Sequence, residues 1–369
     1  MSSRIVVSYR IQGDSPREVA EAISVEQSIE FPAELAAEWI QKEVVGSIES
    51  VGPTVDGMTE VVISYDPRNA GGELPQLINV LWGNVSMLPG VRATSVTLSD
   101  DLLKTFKGPR FGLDGLREMF DAPERALVST ALKPMGSSSQ DLAEMAKTIA
   151  LAGFDTIKDD HSLANQPWSL WKERVKLVAE AVAEANEITG RNCIYAPSMN
   201  LPADQIHDAA HEAKAMGARS LLVLPGISGF DIMRVLAEDD ELALPIMGHP
   251  SVLGAFVTPP GHGMAHDIVF GLLMRIAGAD ISIFPNFGGR FSFTPDECLS
   301  IATKAREEMG NLKPLWVSPA GGMVIDRIGE MLDFYGTDTA ALVGGALHRG
   351  SLAENSANMV RAIRDYVKS

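Results

Sequence analysis

From Ala126 to the C-terminal end of the chain, short apolar strands alternate with amphipathic helices, and the pair recurs eight times. The pattern predicts strands over 127–132, 156–160, 193–198, 220–224, 244–248, 281–285, 315–318 and 340–343. Helices are predicted between and after them, over 140–151, 168–188, 203–216, 229–237, 264–277, 295–309, 324–334 and 352–367. Strands that are apolar at nearly every position imply a sheet covered on both faces. Eight consecutive units of this kind close into a (β/α)8 TIM barrel. An open doubly wound sheet is the alternative, but it normally carries a glycine-rich nucleotide turn after its first strand, and no GxGxxG occurs here.

The first hundred residues follow a different rhythm. Strands are expected at 5–11, 44–51, 60–65 and 91–98, and helices at 16–28 and 74–82, with a turn at Val55-Asp56-Gly57. That β-α-β-β-α-β order is a ferredoxin-like α+β domain. The expected division is 1–110 for this domain and 111–369 for the barrel, joined through KTFKGPRFGL at 104–113.

The bulk properties exclude several function classes. A formal net charge of −17 over 369 residues opposes nucleic acid and anionic membranes. A small anionic substrate remains open to such a chain if its pocket is locally positive. No apolar run approaches the ~20 residues of a membrane span. MSSRIVVSYRI at the N-terminus lacks a signal-peptide pattern. Cys193 and Cys298 are the two cysteines, without metal-type spacing, as in a reduced cytoplasmic protein.

A barrel places its active site at the C-terminal strand ends. Those ends read Lys133-Pro134 at strand one, Lys158-Asp159-Asp160-His161 at strand two and His249-Pro250 at strand five. Strand six leads into Asn286-Phe287-Gly288-Gly289-Arg290, strand seven into Gly321-Gly322 and strand eight into Gly344-Gly345. Glycine loops after strands seven and eight suit a phosphate held by backbone N–H groups and a short helix N-terminus. Within the strand-two run, alternate residues share a face, so Lys158 and Asp160 point together and Asp159 points away. The Asp160 carboxylate and the His161 imidazole beside a lysine suit a cation, provided the lysine is deprotonated or carries CO₂ as a carbamate.

Five segments resemble the RuBisCO large-chain superfamily, in the same order along the chain. They are VEQSIEF (25–31), WGNVSML (82–88), KTFKGPRFG (104–112), ALKPMG (131–136) and KDDHSLANQPW (158–168). The resemblance implies that Lys133 moves the proton in enolisation. It implies that Lys158, carbamylated, binds Mg²⁺ with Asp160 and His161, and that His249 is a catalytic-site histidine. It further implies that Gly321, Gly322, Gly344 and Gly345 hold a phosphate, with Met135 and Arg290 as other substrate contacts. Glu26 and Asn84 match residues that complete the active site of a neighbouring subunit, which implies a homodimer.

The departures from the family pattern carry the functional information. His161 stands for a glutamate ligand, and Met135 for the lysine that protonates the carboxylation product. Asn286-Phe287-Gly288-Gly289-Arg290 replaces the glycine-lysine that stabilises an added carboxylate. Pro250 and Ile283 replace the arginine and histidine that clamp a second phosphate, and a phosphodianion without such partners is costly to bury. The pocket is expected to hold one phosphate and to turn apolar elsewhere, near Met135, Ile283, Phe284 and Phe287. This profile is that of a RuBisCO-like isomerase of a ketose monophosphate, with 5-methylthioribulose 1-phosphate of methionine salvage as the substrate, and not of a carboxylase. The alternatives are 3-oxo-isoapionate-4-phosphate decarboxylation, 2,3-diketo-5-methylthiopentyl-1-phosphate enolisation, a non-catalytic stress or regulatory role, and an unrelated Schiff-base aldolase.

Overall fold

The computed structural model describes residues 3–291 and 293–366. Its N-terminal sheet is built from β1 (Ile5–Gln12), β2 (Ser47–Val55), β3 (Met58–Tyr65) and β4 (Val91–Thr97), in the order β4-β1-β3-β2 and antiparallel throughout. The period-2 pattern of β1 buries Ile5, Val7, Tyr9 and Ile11 on one face. Helices Pro16–Glu26 and Leu74–Trp82 belong to the same hydrophobic core through residues such as Ala20, Ile23, Leu77 and Leu81. Asp56 and Gly57, at φ 51° and 74°, make the two-residue turn between β2 and β3, a hairpin geometry that Asp-Gly favours.

The barrel strands are β5 (Leu127–Leu132), β6 (Thr156–Asp159), β7 (Ile194–Ala196), β8 (Leu221–Val223), β9 (Ile246–Gly248), β11 (Ile281–Pro285), β12 (Trp316–Ala320) and β13 (Ala340–Val343), with a further short strand β10 (Gly263–Met264) between β9 and β11. The barrel strands run parallel in the order β7-β6-β5-β13-β12-β11-β9-β8, and a single parallel bridge, Ser198 to Leu222, joins β7 to β8. Leu127, Ile194, Leu222, Met247, Ile281 and Trp316 form a core cluster distinct from the larger one. Helix Gly112–Met119 contributes Leu116 to that cluster, and Phe120 follows it in. Asp280 anchors this segment: its Oδ1 accepts the N–H groups of Phe111 and Gly112, both at 2.8 Å, and its Oδ2 accepts Ile246 N–H at 3.0 Å.

Several element boundaries differ from the sequence expectation, each for a local reason. The helix expected over 264–277 gives up its first turn, because Gly263 and Met264 form β10 and pair with Arg92 and Ala93 of β4. The barrel chain thereby extends the N-terminal sheet, and helical backbone starts at His266 and continues as a π-helical stretch, Ile268–Leu273. The strand expected at 44–51 starts at Ser47, because an unforeseen helix, Glu38–Glu43, caps at Val44. It continues past Pro53 to Val55 as an edge strand with register shifts, the setting in which proline is tolerated. Helix 168–188 begins only at Trp171, since Asn165 Oδ1 accepts Trp171 N–H and the Asn-Gln-Pro segment is spent as its lead-in loop. The last helix is Leu352–Arg364; Val367, included in its expected span, lies outside the described residues. Among the described residues no helix is long and apolar enough to cross a membrane. Cys193 and Cys298 are buried and free.

Candidate active site

A cavity of about 1500 Å³ opens at the C-terminal ends of the barrel strands. Register brings its first two groups together. Ala131 of β5 pairs with Lys158 of β6, and Asp160 N–H bonds Leu132 O at 3.1 Å, so Lys133 emerges beside Asp160. Lys133 Nζ lies 2.5 Å from Asp160 Oδ2, and His161 Nδ1 lies 2.8 Å from Asp160 Oδ1. Ser162 N–H and Oγ also bond that Oδ1, at 3.1 and 3.2 Å, which fixes the carboxylate plane. Burial works to raise the Asp160 carboxyl, but hydrogen bonds from His161 and Lys133 and the charges of Lys133 and Lys158 outweigh it, holding the group well below the usual carboxylate range.

Lys158 is 2% exposed, and its Nζ bonds Asp159 O at 3.1 Å. Burial pushes its ammonium down to about 8, against the opposing pull of Asp160. Asp159 points to the other side of β6. It accepts Arg174 Nε at 3.1 Å, Tyr195 OH at 2.7 Å and Ser198 N–H at 3.0 Å, and neither it nor Arg174 is exposed. Its role is to tie β6 to β7 and to helix Trp171–Thr189.

His249, at the end of β9, stacks on His161 with ring centroids 4.7 Å apart and planes 14° apart. Ser251 N–H points at His249 Nδ1 at 3.2 Å, so Nδ1 accepts and the ring proton sits on Nε2. Burial, followed by the charge of Lys158, pushes His249 well below its ordinary value, and the ring is a neutral Nε2–H donor.

The glycine loops line the same cavity. Gly321 and Gly322, at φ 97° and 70°, occupy the left-handed region that disfavours side chains. Gly344 and Gly345 need no such conformation, and a Cβ there would meet only open space, so their bareness leaves room in the cavity. Gly345 opens a 3₁₀ turn, Gly345–His348, and Arg349 directly after it also lines the cavity. Arg290 lines the wall from the loop after β11 and lies over the Phe291 ring at 5.2 Å. In the same loop Asn286 is buried and accepts Tyr335 OH at 2.6 Å, which anchors the loop base to helix Ile328–Tyr335. Besides the depressed Lys158, the cavity walls carry three cations, Lys133, Arg290 and Arg349, against two carboxylates, Asp160 and Glu297. This local excess of positive charge sits within a chain of net charge −17.

Of the four residues expected in the apolar wall, Met135, Ile283, Phe284 and Phe287, only Ile283 lines the cavity. Ile283 lines the cavity, together with Val252, Ala255, Phe270 and Phe293. Phe284 alternates to the far side of β11 and packs on Phe270 and Tyr335, while Phe287 packs on Phe334 and Tyr335. Met135 is 47% exposed and does not line the cavity. Glu26 and Asn84 do not line it either; Asn84 Nδ2 bonds Glu26 Oε1 at 2.7 Å. Sequence reasoning missed Arg349, Phe270, Phe293, and His266, which is buried with Nδ1 3.4 Å from Glu297 Oε1. Arg349 could have been found as a cation four residues past Gly345, the second of the strand-eight glycines. The aromatic pair carries no local sign that separates it from ordinary core.

Lys158, Asp160 and His161 all line the cavity and fit a divalent cation. The depressed Lys158 is the direction required for a free amine that takes up CO₂. The resulting donors are oxygens from two residues and one imidazole. Oxygens suit Mg²⁺, and the imidazole raises the affinity for Mn²⁺, Co²⁺ or Zn²⁺.

Comparison with known proteins places this arrangement in a family. The family of the ribulose bisphosphate carboxylase large chain, catalytic domain, matches residues 112–286. The chain is 39% identical over 351 residues to ribulose bisphosphate carboxylase-like protein 1 of Rhodopseudomonas palustris, covering 94% of this chain and 93% of that one. It is 35% identical over 370 residues to the 5-methylthioribulose-1-phosphate isomerase of Rhodospirillum rubrum, covering 98% and 97%. It is 30% identical over 360 residues to the 2,3-diketo-5-methylthiopentyl-1-phosphate enolase of Bacillus pumilus, covering 95% and 87%. The crystal structure of a Rubisco-like protein from Rhodopseudomonas palustris superposes with a TM-score of 0.90 at 35% identity, over the whole of both chains. The chain belongs to the RuBisCO large-chain family, among its RuBisCO-like proteins.

Proposed function

We propose that this protein is a metal-assisted isomerase that carries out a 1,3-proton transfer on 5-methylthioribulose 1-phosphate, without fixing CO₂. The observation that carries the reading is Lys133 Nζ at 2.5 Å from Asp160 Oδ2, a mobile base or acid set against the carboxylate of the candidate metal site. Lys158 as a carbamate, Asp160 and His161 are the residues that would hold the cation. When bound, it would polarise a substrate carbonyl and acidify the adjacent C–H.

The chain's own groups supply the rest. The bare loops at Gly321-Gly322 and Gly344-Gly345, with Arg349 beside them, are suited to one phosphate. Pro250 and Ile283 offer no charge for a second. Val252, Ala255, Phe270, Ile283 and Phe293 suit a methylthio group, whose sulfur packs well on aromatic edges. Lys133 holds a proton at Nζ and is placed to exchange it with a substrate carbon. His249 presents Nε2–H as a neutral donor to a developing enediolate oxygen. The loop after β11 also supports the reading over a carboxylase, since it brings Arg290 and no lysine to the cavity. Glu26 and Asn84 are assigned to the cavity of a second copy in a homodimer.

The test is ¹H NMR of the purified protein in D₂O with a divalent cation and bicarbonate. Deuterium is expected to enter the product of 5-methylthioribulose 1-phosphate. Turnover of the 2,3-diketo-5-methylthiopentyl phosphate alone would make the protein an enolase. Release of CO₂ from a branched keto-acid phosphate would make it a decarboxylase. Inertness toward all three would remove the catalytic reading.

A further inference from the structure

On the outside of the barrel, helix Ile206–Ala215 carries His207 and His211, four residues apart and therefore on one face. Asp239, directly after helix Phe230–Glu238, reaches the same point. His207 Nε2 lies 3.0 Å, and His211 Nε2 2.8 Å, from the same atom, Asp239 Oδ2. The three ligand atoms fall within 4.8 Å of one another, and none of the three residues lines the barrel-mouth cavity.

Three features set this cluster apart from a solvated histidine–aspartate contact. The carboxylate is aimed: Asp239 Oδ1 accepts the N–H groups of Glu241 and Leu242 at 2.8 and 2.9 Å, which leaves Oδ2 to the imidazoles. Lys214 pins the same loop by donating to the carbonyls of Glu241 and Leu242 at 2.7 and 2.8 Å. The cluster holds two imidazoles on one oxygen, whereas an ion pair needs one.

The spacing also fits. Ligands on a tetrahedral zinc ion stand roughly 3.3 Å apart, given bonds of about 2.0–2.1 Å. The two imidazole–carboxylate contacts are a few tenths of an ångström shorter than that and the three ligand atoms lie within 4.8 Å of one another, so an ion enters by small side-chain movements. Two nitrogens and one oxygen suit a first-row transition cation and not Mg²⁺, which prefers six oxygens. We propose that His207, His211 and Asp239 form a second metal site, separate from the barrel mouth, that takes Zn²⁺ or a similar transition cation with solvent as the fourth ligand. The bound ion staples helix Ile206–Ala215 to the end of helix Phe230–Glu238.

The test uses the full-length, chelator-stripped protein, titrated with Zn²⁺ by calorimetry and with Co²⁺ by visible absorption at neutral pH. Lys158→Ala removes a barrel-mouth ligand and leaves only Asp160 and His161 there, which weakens that site relative to the second. That variant is expected to keep one equivalent of Zn²⁺ and a tetrahedral Co²⁺ spectrum, and to gain thermal stability with Zn²⁺. Adding His207→Ala and His211→Ala is expected to weaken Zn²⁺ binding at least about 100-fold and to remove the stabilisation. Should that combination fail to fold, His207→Gln in the Lys158→Ala background, a change to an exposed side chain, is expected to lower affinity at least about tenfold. The proposal is overturned if Lys158→Ala binds no Zn²⁺, or if the histidine variants bind it as tightly as Lys158→Ala does.

Discussion

Lys133 and Asp160 leave neighbouring barrel strands and meet at 2.5 Å, Nζ to Oδ2, in the wall of the barrel-mouth cavity. Asp160 is the common partner of a lysine and an imidazole, one on each oxygen. A change on either side of it therefore acts on the whole cluster.

Lys133→Met is expected to lower substrate deuterium exchange at least about 100-fold, the scale of a lost general acid or base. Lys133 is a third exposed, so its loss opens no core cavity, and the thermal midpoint should stay close to that of the parent. Exchange at the parental rate would show that another group moves the proton.

His161→Glu replaces the imidazole with the oxygen ligand of the carboxylating relatives' motif. The variant is expected to favour Mg²⁺ over Mn²⁺ and Zn²⁺ more strongly than the parent, because hard oxygen donors suit Mg²⁺. Activity measured across a metal series checks this. An unchanged metal ranking would take His161 out of the ligand set.

Glu26 and Asn84 bond each other outside their own chain's cavity. If each pair completes the cavity of a second copy, Lys133→Ala and Glu26→Ala chains are inactive alone and complement on mixing. Random re-association should return roughly a quarter of parental activity, from heterodimers with one intact site. No recovery after verified subunit exchange would remove the shared site.

Asp280 gives a pH signature of the fold. Burial raises its carboxyl to about 6, although three backbone N–H groups pull the other way. The folded chain then keeps this proton to higher pH than the unfolded chain, so the unfolded chain binds fewer protons between about pH 4 and 6 and stability falls as pH rises. The loss is on the order of 3 kcal/mol once pH passes the folded value. The stability gap between the parent and Asp280→Asn, from denaturant titrations, should narrow by about that amount from pH 4 to 7. A gap that widens with pH would mean that the three N–H bonds govern the carboxylate.

Much of this molecule was legible in the chain because the controlling patterns are local. Strand and helix periods depend on neighbours a few residues away, so eight βα units and the N-terminal β-α-β-β-α-β order could be read directly. The split within strand two was equally local. Alternation sends Lys158 and Asp160 into the cavity and Asp159 to the opposite side, where Arg174, Tyr195 and Ser198 receive it. What the tertiary structure alone decided is which distant residues share a wall. Lys133 reaches Asp160 through the register of β5 on β6. Phe270, Phe293, His266 and Arg349 line the cavity because separate loops fold over one mouth, while Met135 turns out to solvent. Likewise, nothing in the sequence near His207 or His211 announces Asp239. Such contacts depend on how loops close across the barrel, and closure is set by the packing of the whole core and not by the period of any one segment.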